Sequence, residues 1–175
     1  MIGARVLADT NVVSYLFKDS ELASGYRSLI NGRPTGIALI SLAELNFGAA
    51  SDRWGSKRLE RMDSFLDDFI VIPGNHSIAL IAAYLRNQRA RIGREIDWPD
   101  AWVAATALWY RLPLATHDRD FHGIPGLQLL TLHEDWRVAE PRIRYGGRGH
   151  HRHETAYAAH RISNLHDSNS YADQL

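Results

Sequence analysis

Arg5-Val6-Leu7-Ala8-Asp9-Thr10-Asn11-Val12-Val13-Ser14-Tyr15-Leu16 is the stretch on which the reading of this chain turns. Residues 5–9 read as a short buried strand, because an unbroken apolar run this brief suits a strand covered on both faces. Thr10 and Asn11 favour turns and helix starts, and residues 12–17 then read as helical. A buried strand that ends on an acid and passes straight into a helix sets the pattern to look for downstream.

The pattern recurs. Residues 20–30 read as a second helix, separated from the first near Asp19, and Asn31-Gly32-Arg33-Pro34 forms a turn. Gly36-Ile37-Ala38-Leu39-Ile40 is the second buried strand. Ser41-Leu42-Ala43-Glu44 has the form of a capping box, which places Glu44 in the first turn of the following helix. Leu59, Met62, Phe65, Leu66 and Phe69 mark a helix over 57–69, Ile70-Val71-Ile72 a third strand, and the apolar face of 76–92 another helix ended by Gly93. Asp97 is placed to cap the next helix, with Pro99 in its first turn. Residues 112–116 and 129–132 supply the fourth and fifth strands. Short strands alternating with helices predict an α/β fold with a mainly parallel five-stranded sheet.

From Pro141 the periodicity dissolves. Tyr145-Gly146-Gly147-Arg148-Gly149 reads as a linker, and His150-His151-Arg152-His153 as a solvated cluster able to bind a transition metal. Residues 1–140 are therefore expected to form the domain and 141–175 a flexible C-terminal extension.

Composition bounds the function. The chain has 175 residues, enough for one domain with a sizeable core, and 45% of them are apolar. It has no cysteine, which excludes disulfides and thiolate zinc sites and is compatible with a reducing cytoplasm. No apolar run is long enough to span a membrane, and Asp9 comes too early for a secretory leader. Residues 1–140 hold 15 basic against 17 acidic side chains and residues 141–175 hold 5 against 3, so the net charge of zero argues against binding nucleic acid by bulk electrostatics.

Four carboxylates fall where an open α/β sheet collects functional groups, at the carboxyl ends of strands. Asp9 ends the first strand, Glu44 follows the second, Asp118 follows the fourth, and Asp100 opens the helix leading into the fourth. Each has a structural alternative: Asp9 and Glu44 as helix caps, Asp100 as a first-turn acid favoured by the helix dipole, Asp118 and Asp120 as solvated loop residues. Converging, the four would repel and raise one another's pKa values. A hard divalent cation resolves that repulsion, and Mg²⁺ bound through oxygen suits phosphodiester hydrolysis by an activated water.

Residues 7–16 are similar to the opening motif of the PIN-domain ribonucleases, and within them of the VapC toxins of type II toxin–antitoxin systems. Ile40-Ser41-Leu42-Ala43-Glu44-Leu45, with Gly48, resembles the second motif; residues 92–107 around Asp100 resemble the third. Leu114-Ala115-Thr116-His117-Asp118-Arg119-Asp120-Phe121, with 124–127, resembles the last. The acids stand at gaps of 35, 56 and 18 residues, and the resemblance covers about residues 4–132. It implies a PIN-like nuclease domain over 1–140 with Asp9, Glu44, Asp100 and Asp118 as metal-site and catalytic acids. Thr10 or Asn11 would shape the pocket, and Asp120 is the alternative to Asp118. It further implies Mg²⁺ or Mn²⁺, an RNA substrate cut to a 5′-phosphate and 3′-hydroxyl, a homodimer, and inhibition by a cognate VapB-like antitoxin.

Two other functions remain open at this point: a non-catalytic PIN-like module binding RNA or protein, and a Mg²⁺-dependent phosphohydrolase of small substrates. The absence of a phosphate-binding glycine loop counts against the latter. Arg86, Arg89, Arg91 and Arg94 either guide RNA or form a solvated helix face. Val13, Leu16, Phe17 and Leu22 are candidates for an apolar groove that receives the antitoxin.

Overall fold

The structure, a computed structural model, describes residues 3–133. Their elements run β1 (Val6–Ala8), α1 (Thr10–Lys18), α2 (Ala23–Ile30), β2 (Thr35–Ala38), α3 (Leu39–Ser51), α4 (Ser56–Leu66), β3 (Ile70–Ile72), α5 (His76–Arg91), α6 (Trp98–Tyr110), β4 (Leu114–Ala115), a 3-10 turn (Arg119–Phe121) and β5 (Leu129–Leu130). The glycine linker and the histidine cluster lie outside the described residues, as does the whole proposed extension.

All five strands are parallel, in the order β3-β2-β1-β4-β5. The expected architecture is present, and the order explains it. β1 is central because both of its edges are paired, Leu7 with Gly36 on one side and with Leu114 on the other. Its residues are fully buried, as the unbroken Val6-Leu7-Ala8 run requires of a strand with helices on both faces. The connection from β1 leads to β2 on one side, whereas β4 joins on the other. A crevice therefore opens past the carboxyl ends of β1 and β4, the place where open α/β sheets bind ligands.

Two apolar clusters pack against opposite faces. One joins Leu7, Ile72, Ile78, Ile81, Val103, Leu114 and Phe121 beneath α5 and α6. The other joins Val6, Ala8, Val12, Val13, Leu16, Phe17, Tyr26 and Ile37 beneath α1 and α2. The alanines of α6 (Ala101, Ala104, Ala105 and Ala107) are buried and let its backbone lie close to the sheet. Val13, Leu16 and Phe17 are thus core residues. They are not available to a partner groove, and of that set only Leu22 is half-buried.

The β2–α3 junction differs from the expected one. β2 stops at Ala38, whose pairing with Ile72 is the last rung of the register, and α3 begins at Leu39 with Ala38 at its cap position. Ser41 is therefore inside the helix, buried, its hydroxyl without a hydrogen-bond partner among the described residues. The capping box does not form, and Glu44 lies a turn further along the helix than expected.

Candidate metal centre

Asp9 sits where β1 becomes α1. Its backbone is extended and its side chain makes no capping hydrogen bond, so the structural role open to it in the sequence is not the one it plays. Its backbone N–H donates to Ala115 O (3.0 Å), stitching the end of β1 to β4. Its carboxylate is almost wholly buried and accepts from the Thr116 hydroxyl at 2.9 Å. Burial pushes its pKa up to about 7; the hydrogen bonds from Thr116 and from the Thr10 backbone oppose the rise, and Asp118 and Glu44 add to it.

Thr116 enters the sequence reading as part of the fourth strand and of the last motif, with no role of its own. Its hydroxyl donates to Asp9 and also accepts from the Asp118 backbone N–H at 3.0 Å. One buried side chain thereby fixes two of the acids. A threonine two residues before an acid at a strand end is the signal that could have found it.

Asp118 caps the 3-10 turn by accepting from the Asp120 N–H at 2.8 Å. Asp100 lies in the first turn of α6, and its N–H donates to the Asp97 carboxylate at 2.9 Å. The predicted Asp97 cap is present. Asp97 also acts as a fifth charge that sequence reading treated only as a cap: it contributes to raised pKa values at both Asp100 and Glu44. Asp100 is driven up to about 8, first by burial, then by Asp97, Asp9, Asp118 and Glu44. Glu44 is raised, chiefly by burial, and is held by the Thr10 hydroxyl, which donates to it at 2.6 Å. Of the two pocket-shaping candidates, Thr10 has this role; Asn11 is exposed.

Carboxylate oxygens of Asp100, Asp118 and Asp120 come within 4.8 Å of one another. The two rivals for the fourth position are therefore both in the cluster. Asp9 and Glu44 are not members of that tight trio, although both act on Asp100 electrostatically. The donor set fits a hard cation, since every candidate ligand is a carboxylate and the group carries more negative charge than its surroundings neutralise. His117, next to Asp118, is turned away: its Nδ1 lies 2.9 Å from the Tyr26 hydroxyl, and its ring stacks on His133.

A parallel sheet with a cluster of carboxylates past the ends of β1 and β4 defines an α/β protein with a candidate cation site. The PIN domain family matches residues 6–127, and the chain belongs to it. Ribonuclease VapC5 of Mycobacterium tuberculosis is 34% identical over 91 residues, which make up 50% of this chain and 67% of that protein. Toxin FitB of Neisseria gonorrhoeae is 32% identical over 122 residues, 65% of this chain and 87% of FitB. Among solved structures, a toxin–antitoxin complex from Klebsiella pneumoniae contains a chain that is 30% identical, with a TM-score of 0.59 over 72% of this chain and 96% of that one.

Proposed function

We propose that this protein is a metal-dependent endoribonuclease and the toxin of a VapBC-type pair. The observation that carries the reading is the convergence of Asp9, Glu44, Asp100, Asp118 and Asp120, drawn from four separate segments, with Asp9 and Asp100 raised to about 7 and 8. Burying carboxylates this close together, which raises those values first by desolvation and then by repulsion, is costly in a scaffold and useful around a cation. It disfavours the non-catalytic module, for which the acids would be a burden without a purpose. The relatives named as ribonucleases and toxins support the same reading.

Asp100, Asp118 and Asp120 would hold the cation, with Asp9 and Glu44 completing the acidic wall. All-oxygen donors favour Mg²⁺ or Mn²⁺. Bound there, such an ion supplies Lewis-acid stabilisation of phosphate charge and makes water easier to deprotonate. The chain's own part is positioning: Thr116 fixes Asp9 and the backbone of Asp118, Thr10 fixes Glu44, and Asp97 fixes the first turn of α6. A VapB-like partner would inhibit by presenting an arginine to the same carboxylates, and the active form would be a cytoplasmic homodimer. No helix among the described residues is long and apolar enough to cross a membrane.

RNA cleavage measured before and after exhaustive chelation tests the assignment. Activity should vanish with EDTA, return with Mg²⁺ or Mn²⁺, and fall at least a hundredfold in Asp100→Asn while the fold survives. Full cleavage without divalent metal would remove the mechanism.

A further inference from the structure

Arg89 poses a problem that the acid centre does not solve. It lies near the end of α5, 5% exposed. Its Nη1 donates to His122 O at 3.1 Å and its Nη2 to Asp120 O at 2.9 Å. Its Nε is buried without a hydrogen-bond partner, and it makes no ion pair with a described residue. A guanidinium removed from water and offset by two carbonyls and the charge of one nearby carboxylate, Asp120, is costly.

Arg89 lines a cleft of about 560 Å³ between the α5–α6 loop and the turn after β4. Arg94, Arg119 and His122 line it too, and Glu95 and Asp120 are its acids. Arg94 reaches across the turn: its Nη1 lies 3.7 Å from where a Cβ on Gly123 would stand, and Gly123 has a φ of +76°. The Asp120 carboxylate also belongs to the trio with Asp100 and Asp118. The cationic cleft therefore opens directly beside the acidic cluster. Arg86, one turn earlier on α5, does not share this arrangement, since it donates to Ile96 O and lies over the Trp98 ring.

We propose that this cleft seats a backbone phosphate of the substrate strand, next to the phosphate that is cut. The inference rests on the nuclease reading and extends it. Arginine forks match phosphate oxygens, and three arginines line the cleft against two acids, so an anion here adds counter-charge. Held between a cation site on one phosphate and guanidiniums on its neighbour, a single strand is fixed in direction along the crevice. These contacts position the strand without reading its bases.

The test uses a fluorescent single-stranded RNA oligonucleotide, with anisotropy measured in EDTA so that binding is read without cleavage. Arg94→Ala and Arg119→Ala should each weaken binding about tenfold and flatten the salt dependence by about 0.7 in log–log slope per lost phosphate contact. Arg33→Ala, ahead of β2 at the opposite end of the sheet, should leave both nearly unchanged. One neutral methylphosphonate linkage beside the cut site should weaken binding to the wild type and not to Arg94→Ala. If the wild type does not bind, or Arg94→Ala loses no more than Arg33→Ala, or no neutral linkage distinguishes the two proteins, the cleft is not a phosphate seat. Cleavage of the same oligonucleotide in Mg²⁺ is scored separately. Cleavage without these differences removes the cleft and keeps the nuclease, and the differences without cleavage do the reverse.

Discussion

The Thr116 hydroxyl is a single atom on which two acids depend. It donates to Asp9 and accepts from the Asp118 backbone, so Thr116→Val should leave a buried carboxylate without its donor and let the turn shift. Cleavage should fall ten- to a hundredfold with little change in melting temperature, and Thr116→Ser should restore most of it; equal activity in all three would deny the role. Asp9 and Asp100 set the pH behaviour of the metal-free protein. Both have folded-state pKa values, about 7 and about 8, above their ordinary 3.8. The folded state therefore holds protons that the unfolded chain has released, and their stabilising contribution is complete below pH 3.8 and is lost as pH rises through 7 to 8. Without divalent metal the melting temperature should drop by several degrees between pH 5.5 and 8.5. Added Mg²⁺ should restore it at pH 8.5, and Asp100→Asn should flatten the profile. The acids could be found in the sequence because charge at a strand end is visible in one dimension. Thr116 is legible there only as a threonine two residues before an acid; its role is not, since it lies in a partner 107 residues away.

Asp97 shows how one side chain serves a helix and a site at once. Its carboxylate caps α6 by accepting from the Asp100 N–H, while its charge raises the pKa of Asp100 and Glu44. The two effects separate by substitution. Asp97→Ala removes the cap and should destabilise by about 1 kcal/mol. Asp97→Asn keeps an acceptor and removes the repulsion, so it should match or exceed wild-type stability and bring the Asp100 titration to lower pH in carboxylate-resolved NMR. The opposite order of stability would make Asp97 a cap and nothing more. The helix α6 was readable from Asp97, Pro99 and the alanine run because those signals are local. The start of α3 was not. Leu39 and Ile40 are apolar enough to continue a strand, and Ser41 and Glu44 mimic a cap. The junction is set by where β2 runs out of partner, at the Ala38–Ile72 rung, and that information resides in β3.

The complete fold adds what neither residues nor elements carry: the order β3-β2-β1-β4-β5, which turns five ordinary apolar runs into a sheet with a crevice beside its central strand. Alternation of strands and helices made the class and the parallel sense readable, whereas the order is a property of three-dimensional closure. The family match ends at residue 127; from the loss of periodicity past Pro141 we propose a domain boundary near Glu140. A chain ending at Glu140 should melt within a few degrees of the whole chain and cleave RNA as well; a large drop would move the boundary. Co-expression with the product of an adjacent small gene, followed by pull-down and a cleavage assay, tests the antitoxin part separately. The pairing of β1 with β4 has a further consequence, in time. Asp9 leaves the ribosome well before its partners, since the Ala115 carbonyl that anchors it and the Thr116 hydroxyl that orients it are made more than a hundred residues later. Pairings this distant along the chain close late in folding, so a ribosome carrying the growing chain bears no assembled acidic centre until β4 emerges. Synthesis itself thus imposes a delay before the proposed activity can exist, and a chain stalled before Leu114 should cleave nothing.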